Sequence, residues 1–271
     1  MTLSNAEVEA EAHALDRAER TRTQIRQTTS VHPTATIDDA YRIQSAWKDI
    51  RLARAEHVVG HKIGLTSKAM QESMQISTPD SGFITDVMAH DASEGAIAIP
   101  AGDHLDPKIE VELAFVLAAD LEGPDVGLND VIAATDHVVP ALELIAARSY
   151  RVDPTTGRRR TVVDTIADNA ANAGIITGGR AVGTDEVDLR WVGALLGRNG
   201  EIEESGLAAA VLNHPANGIV WLARRYAEQG LVLRAGDIVL AGSFTRPVDV
   251  RRGDHFRVDY GPLGTIEVRF S

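Results

Sequence analysis

Residues 108–117 read KIEVELAFVL, and apolar side chains stand at every second position from Ile109 to Phe115. This alternation predicts a β-strand with one buried face, because successive side chains of a strand point to opposite faces. Glu110 and Glu112 would then lie together on the other face, with their Cα atoms roughly 6.5–7 Å apart. A fold that contains this strand must therefore accommodate two like charges whose carboxylates can reach one ion.

A third carboxylate, Glu143, lies between two leucines in a second apolar run, VVPALELI, over residues 138–145. Carboxylates among apolar side chains are costly to bury unless a positive charge lies between them. Three such groups on hydrophobic strands predict a site for a hard divalent cation, which prefers oxygen ligands. The alternative for Glu110 and Glu112 is a solvated strand face, and the apolar surroundings of Glu143 disfavour that alternative.

The chain has 271 residues, a formal net charge of −12 and no cysteine. The absence of cysteine excludes disulfides, thiolate zinc sites and cysteine nucleophiles. The negative charge argues against nucleic-acid binding, which needs a basic surface. Residues 1–27 lack the apolar segment of a secretory signal, and no run of about 18 apolar residues predicts a membrane span. We expect a cytoplasmic protein that acts on a small molecule rather than on nucleic acid or a membrane.

The N-terminal portion, residues 1–56, predicts helices. Residues 3–27 form a polar amphipathic pattern, and Thr36 with Asp39 resembles a capping box that begins a second helix. Residues 57–271 contain short apolar segments separated by glycine and proline, which predict a β-rich catalytic domain. Because regular alternation of strands and helices is missing, the expected class is α+β, with a closed or sandwiched β-rich body.

Several strands and two helices are predicted in this body. The predicted strands are 58–65, 109–117, 138–145, 237–242, 255–260 and 265–270, with a further short strand that begins at 175. The predicted helices are 67–75 and 214–229, the second with Pro215 in its first turn and Gly230 after its end. Residues 77–82 are expected to form a loop.

Lys62 and Asp80 are the candidate catalytic residues. Lys62 stands in a short apolar segment between glycines, GHKIG. It either extends its ammonium group to the surface or acts beside the metal on an enolate or a carboxylate. Asp80 follows a proline in the loop TPDSG, a pattern that most often forms an ordinary turn. The residues alone leave both pairs of alternatives open.

Further polar residues are candidates for substrate binding. The segment VDTIADNAAN contains Asp164 and Asn169 in a dense polar set that either orients water at a metal or satisfies a buried loop. The arginines at 158–160 are expected to form a solvated loop rather than a ligand clamp. Arg246, in the loop GSFTRP after a predicted strand, is a better candidate to bind a carboxylate in bidentate geometry.

Together these segments resemble the hydratase and decarboxylase branch of the fumarylacetoacetate hydrolase superfamily, from about residue 36 to the end of the chain. The motifs that carry the resemblance are GHKIGLT at 60–66, PDSG at 79–82, IEVE at 109–112, PALE at 140–143, DTIADN at 164–169 and NHP at 213–215. Two further motifs, AAAVLNHPANG at 208–218 and GSFTRP at 242–247, favour the members whose substrate carries a second carboxylate.

The resemblance implies a mixed β-roll or sandwich with an N-terminal helical portion, a homo-oligomeric state and a Mg²⁺ or Mn²⁺ site. The roles that it implies by position are metal binding for Glu110, Glu112 and Glu143, catalysis for Lys62 and Asp80, and substrate binding for Arg246, Ser243, Asp164 and Asn169. Each of the metal-binding and catalytic positions agrees with the family pattern.

The implied activity is that of a hydratase, a hydro-lyase of aromatic (homoprotocatechuate) degradation that adds water to 2-hydroxyhepta-2,4-diene-1,7-dioate. Decarboxylation of 4-oxalocrotonate and hydration of 2-hydroxypentadienoate are the alternatives within the branch. A more distant alternative is hydrolytic cleavage of a carbon–carbon bond. A non-enzymatic scaffold is disfavoured, because such a relative would be expected to lose Lys62 or one of the glutamates.

Overall fold

The structure, a computed structural model, describes residues 2–67, 71–72 and 76–271. The helix predicted for residues 67–75 therefore falls mostly outside the described residues. Within the described ranges, no helix is both long enough and apolar enough to cross a membrane.

Helices dominate the N-terminal portion, as predicted. The α-helices with described bounds are α1 Asn5–Thr21, α2 Thr28–Val31, α3 Ile37–Leu52, α4 Leu128–Ala134, α5 Val162–Ala167 and α6 Ala216–Ala227. The capping box expected at the start of α3 is present, because Thr36 and Asp39 exchange side-chain-to-backbone hydrogen bonds. The first helix is shorter than the predicted 3–27, because Arg22 adopts a left-handed conformation with φ of 54° that closes the helix.

The β-strands of the described ranges form two sheets. They are β1 Val58–Gly64, β2 Asp80–Thr85, β3 Ala89–Asp91, β4 Ile97–Ile99, β5 Lys108–Leu117, β6 Thr135–Ile145, β7 Asn172–Thr177, β8 Gly193–Arg198, β9 Glu201–Leu207, β10 Ile238–Leu240, β11 Val248–Asp249, β12 His255–Asp259 and β13 Thr265–Phe270. The eight-stranded sheet has the order β2-β1-β10-β5-β6-β7-β3, and β11 pairs with β5. The five-stranded sheet has the order β4-β13-β12-β8-β9.

Several parts of the sheets differ from the prediction, and the short strands β3, β4 and β11 are among those not predicted. The loop predicted for 77–82 is wrong at its end, because Asp80 begins β2, a strand that is buried along its whole length. The sequence PDSG is typical of a turn, but its last three residues lie in this strand, which is covered on both faces. Strands β8 and β9 are not predicted, because β9 is largely exposed and has no alternating apolar pattern.

The hydrophobic core of the described residues has a main cluster, a helical cluster and a smaller third cluster around Phe83 and Ile84. The main cluster contains side chains from both sheets and from α6. The helical cluster packs α1 and α3 against α5 and includes the buried Ile43 and Trp47. Gln44 of α3 donates hydrogen bonds of 2.8 and 2.9 Å to the carbonyl oxygens of Ser81 and Ile166, so the N-terminal helices are tied to the β-rich body. The expected α+β class with an N-terminal helical portion is confirmed.

Candidate metal centre

The antiparallel register of β5 and β6 brings three carboxylates together. Glu110 pairs with Glu143 across the two strands, and Glu112 follows two residues later on the same face. One oxygen from each carboxylate lies within 4.8 Å of the other two. The sequence analysis predicts that these three residues are metal ligands.

The hydrogen bonds of two of these carboxylates leave oxygens free to bind a cation. The backbone N–H of Gly242 donates to Oε2 of Glu112 at 2.8 Å, and Nδ2 of Asn172 donates to Oε1 of Glu143 at 2.9 Å. The second oxygen of each carboxylate is buried and has no hydrogen-bond partner. Buried carboxylate oxygens without a donor suit a divalent cation such as Mg²⁺, so the residues fit the expected metal.

Burial and mutual repulsion change the protonation of the cluster. Burial, and next the charge of Glu143, raise the pKa of Glu110 to about 7. The same two causes, with the charge of Glu110 added, raise the pKa of Glu112 well above its ordinary value. In the absence of a cation, the cluster therefore favours retaining protons near neutral pH.

Lys62 is inside the protein, so the alternative in which it extends to the surface is wrong. Its Nζ atom lies 3.3 Å from Oε1 of Glu143 and donates a hydrogen bond of 2.9 Å to the carbonyl oxygen of Ala170. Burial opposes the charged form, but the surrounding carboxylates outweigh burial and raise the pKa of Lys62 above its usual range. Lys62 therefore remains a cation at neutral pH.

The partner carbonyl of Lys62 lies in a strained turn. Asn169, Ala170 and Ala171 all have left-handed backbone conformations, with φ of 52°, 49° and 64°. Such conformations are unfavourable for residues with a Cβ atom and persist only where other contacts impose them. The side chain of Asn169 supplies such contacts, because it accepts from the N–H and donates to the carbonyl of Phe83, each at 2.9 Å.

Asp80 faces Lys62 from the neighbouring strand. Its backbone pairs with Gly64 of β1, and a Cβ atom at Gly64 would collide with the Asp80 carboxylate and lie 2.9 Å from Nζ of Lys62. Glycine is therefore required where these two side chains approach the backbone. Asp80 is buried and its Oδ1 atom has no hydrogen-bond partner. Burial raises the pKa of Asp80, although the charge of Lys62 opposes this.

A cavity of about 480 Å³ lies beside these groups. Its charged lining residues are Lys62, Asp80, Glu110, Arg151, Arg159 and Arg160. Arg158 and Arg159 are exposed, as expected of a solvated loop, whereas the side chain of Arg160 is largely buried, so the expectation is wrong for Arg160. The sequence pattern also missed Arg151, since nothing in the local sequence indicates that its loop folds over the cavity.

Arg246 lies elsewhere, contrary to the expectation that it binds a carboxylate within the site. Its side chain is 82% exposed, and its Nη2 atom lies 2.8 Å from Oε1 of Glu204 on β9. Pro247, the next residue in the same loop, does line the cavity. The guanidinium group of Arg246 forms a surface ion pair with Glu204 and does not line the cavity.

The other residues expected to bind substrate have backbone partners within the protein. Asp164 accepts hydrogen bonds from the N–H groups of Thr29 and Thr161, both at 2.7 Å. Ser243 donates to the carbonyl oxygen of Thr245 at 2.9 Å. Asp164 and Asn169 therefore follow the alternative in which their polar segment satisfies a buried loop.

Comparisons with known proteins agree with this geometry. The family model described as fumarylacetoacetate (FAA) hydrolase C-terminal matches residues 51–271. The chain is 56% identical over 260 residues, 96% of each chain, to 2-oxo-hept-4-ene-1,7-dioate hydratase of Escherichia coli. It is also similar to 4-oxalocrotonate decarboxylase of Pseudomonas putida G7 complexed with magnesium and adipate, with 36% identity, a TM-score of 0.92 and 99% of each chain covered. A second structure of that decarboxylase, complexed with calcium and acetate, gives 37% identity, a TM-score of 0.91 and the same coverage.

The raised pKa of Glu110 predicts that metal affinity depends on pH. Because a cation must displace the proton, we expect Mg²⁺ affinity to fall as pH decreases below 7, by about tenfold per pH unit for each proton displaced. Isothermal titration of the protein with Mg²⁺ between pH 5.5 and 8.5 measures this dependence. An affinity that does not change across this range would contradict the raised pKa.

The same pKa predicts the pH dependence of stability without metal. Folded Glu110 retains its proton up to about pH 7, whereas the unfolded chain loses it near the ordinary value of 4.5. Between these pH values the folded state binds more protons, so the free energy of unfolding decreases as pH rises and levels off above pH 7. Thermal unfolding in chelator, repeated with excess Mg²⁺, should show a larger stabilisation by the metal at pH 8 than at pH 5.5.

Replacing Glu112 by glutamine tests the ligand set. The amide oxygen of glutamine can still accept the hydrogen bond from Gly242, but the charge is lost, so we expect Mg²⁺ affinity to fall by about a hundredfold or more. The melting temperature in chelator should not decrease, because a repelling charge leaves a buried cluster. Glu201→Gln on the exposed strand β9 is the matched control and should bind Mg²⁺ as the parent does. Unchanged affinity of Glu112→Gln would exclude Glu112 as a ligand.

Proposed function

This chain belongs to the fumarylacetoacetate hydrolase family, and we propose that within the family it is a metal-dependent hydratase of aromatic degradation. The proposed reaction adds water to 2-hydroxyhepta-2,4-diene-1,7-dioate to give 4-hydroxy-2-oxoheptane-1,7-dioate. The observation that carries the proposal is the 56% identity, over 96% of both chains, to the hydratase of Escherichia coli. The buried carboxylate cluster supports the same proposal, since a metal-dependent reaction needs such a site.

Glu110, Glu112 and Glu143 are the proposed ligands of Mg²⁺ or Mn²⁺. Oε1 of Glu112 and Oε2 of Glu143, which have no hydrogen-bond partner among the described residues, are two of the oxygens that would bind it. When bound, such a cation supplies Lewis-acid stabilisation of the negative charge that develops on the C2 oxygen of the substrate. Asn172 and the backbone of Gly242 hold the carboxylates in place through their hydrogen bonds. These supporting contacts fix the direction in which the ligand oxygens point.

The proposed reaction requires three steps at the substrate carbons. A proton is delivered to C5, which converts the dienol to the 2-oxo-3-ene form. Water then adds at C4, which has become electrophilic through conjugation with the C2 carbonyl group. A proton is finally delivered to C3. A group that can carry a proton near neutral pH is therefore needed beside the substrate.

Asp80 is the proposed proton carrier, because burial raises its pKa and its Oδ1 atom has no hydrogen-bond partner among the described residues. Lys62 is the proposed binding group for the C1 carboxylate. Its pKa is raised rather than lowered, so it holds its proton and acts through its charge. Its ion pair with Glu143 and its hydrogen bond to Ala170 fix the position of that charge.

Decarboxylation of 4-oxalocrotonate is the second candidate. The TM-score of 0.92 to the Pseudomonas putida G7 decarboxylase, over 99% of each chain, favours it. Both reactions require negative charge to develop on the C2 oxygen, so the same metal and the same Lys62 would serve either. The identity of 36% to that enzyme is lower than the 56% to the hydratase, which makes hydration the better proposal.

A homo-oligomeric state and a cytoplasmic location complete the proposal. The family resemblance supports the former, and the absence of cysteine agrees with the latter. Light scattering of the purified full-length chain measures the subunit number. A monomer at working concentration would exclude the homo-oligomer.

Product analysis tests the proposed reaction. We expect NMR to detect 4-hydroxy-2-oxoheptane-1,7-dioate after 2-hydroxyhepta-2,4-diene-1,7-dioate is added with Mg²⁺, and no such product in the presence of chelator. A parallel incubation with 4-oxalocrotonate measures CO₂ release. Faster CO₂ release from 4-oxalocrotonate than hydration of the dienedioate would favour the decarboxylase. Equal turnover in chelator would contradict the metal dependence.

Lys62→Ala tests the proposed role of the lysine. Removing the cation leaves the C1 carboxylate without its partner, so we expect kcat/KM to fall by about a hundredfold or more. Steady-state kinetics with saturating Mg²⁺ measure this loss, and circular dichroism checks that the variant is folded. Lys48→Ala, at a position on the N-terminal helix α3, is the matched control. Turnover of Lys62→Ala close to that of the control would exclude the proposed role.

A further inference from the structure

The guanidinium group of Arg160 has N–H donors without an acceptor among the described residues. Its side chain is 8% exposed, and its Nη2 atom lies 3.2 Å from the carbonyl oxygen of Asp164 and 3.4 Å from Oδ2 of Asp168. The Nε and Nη1 atoms are buried and have no hydrogen-bond partner. Because a guanidinium group has five N–H donors, these two nitrogens leave three of them unpaired. Buried donors of a charged group are normally satisfied, so a missing acceptor is indicated.

The contact with Asp168 does not explain why Arg160 is buried. Asp168 already has a closer partner, because Nε of Arg148 lies 2.5 Å from its Oδ1 atom. The backbone N–H of Arg148 also donates to its Oδ2 atom at 2.9 Å. Arg160 is thus a second and more distant cation beside an aspartate whose charge is already paired. Burial lowers the pKa of Arg160, which reflects the loss of water around its guanidinium group.

Arg160 lies in the same cavity as the groups proposed to act on the substrate. Its charge lowers the pKa of Asp80, and the charge of Arg151 lowers the pKa of Glu110, in both cases against the effect of burial. The cavity therefore has acidic groups, which would hold a cation, and basic groups that face them. The lining also contains apolar side chains, including Leu65, Ile145, Val152 and Pro247, and the hydroxyl-bearing Thr161 and Thr165.

We infer that Arg160 binds the second carboxylate of the substrate, at the end remote from the metal, and so makes the site selective for dicarboxylates. The inference deepens the proposed function and rests on it for the identity of the substrate. A dicarboxylate would place its second carboxylate at the guanidinium group of Arg160 and its carbon chain against the apolar lining. A monocarboxylate of the same length would bury its apolar end against a charged group, which is unfavourable.

The position of Arg160 is built by the N-terminal portion. Nε2 of Gln27 donates to the carbonyl oxygens of Tyr150 and Arg158, at 3.1 and 2.8 Å, across the loop that leads to Arg160. The backbone N–H of Thr29 binds Asp164, at the start of the helix that follows. The arginine is thus held before any ligand binds, as selective recognition requires.

Two unreactive probes test the inference. In the presence of Mg²⁺, 2-oxoheptanedioate and 2-oxoheptanoate offer the same 2-oxo acid group but differ in the second carboxylate. We expect the parent protein to bind the dioate at least tenfold more tightly by isothermal titration. Arg160→Gln should weaken binding of the dioate by at least tenfold and change the affinities for the monoacid and for Mg²⁺ by less than twofold. Arg160→Lys, which keeps a charge but not the geometry, should give an intermediate affinity.

Arg252→Gln is the matched control, because it removes the same charge from an exposed side chain outside the cavity lining. It should retain the preference for the dioate. The inference is overturned if the parent shows no preference, if Arg160→Gln keeps it, or if Arg246→Gln loses it while Arg160→Gln does not. If Arg160→Gln does not fold, Arg160→Lys decides, and an unchanged dioate affinity in that variant overturns the inference. Neither probe has a double bond to hydrate, so failure here is distinct from the absence of product in the NMR assay.

Discussion

The register of β5 and β6 is the constraint on which the rest of this protein depends. It places Glu110 opposite Glu143 and leaves Glu112 on the same face, so three carboxylates meet in the interior. A slip of one residue would turn one strand's acids to the opposite face and destroy the site. The hydroxyl of Tyr260 secures this register from the other sheet, because it donates to the backbone carbonyls of Glu112 and Ala141, at 3.2 and 2.6 Å.

The other residues of the centre compensate the negative charge that this register buries. Lys62 lies within 3.3 Å of Glu143 and is held by a carbonyl in a turn of three left-handed residues. That turn is unfavourable by itself and is imposed by the bonds of Asn169 to the backbone of β2. Glycine at position 64 leaves room for Lys62 and Asp80 together. The strain and the close approach both lie where the proposed chemistry takes place, which is where departures from regular structure are expected.

The N-terminal helices contribute to the cavity although they supply none of its charged lining. Through Gln27 and Thr29 they hold the loop and the short helix that position Arg160. The result is a cavity lined by both carboxylates and arginines in a protein whose net charge is −12. A dianionic ligand is repelled by such a surface overall, so its binding must come from cations gathered locally inside the cavity.

The sequence by itself predicted that Glu110, Glu112 and Glu143 lie together, because side chains of a strand repeat every two residues and the apolar neighbours mark these segments as strands. It determined the start of α3 in the same local way, through the capping box at Thr36. The sequence did not decide whether Lys62 extends to the surface or lies at the metal site, and it predicted a loop where β2 begins. Both outcomes arise because the burial of a short segment depends on what packs over it. Only the tertiary structure decided between the arginines: Arg246 pairs with Glu204 at the surface, and Arg160 enters the cavity. The physical reason is that a loop's direction is set by contacts with residues more than a hundred positions away, such as those of Gln27 with Tyr150 and Arg158, which no local pattern records.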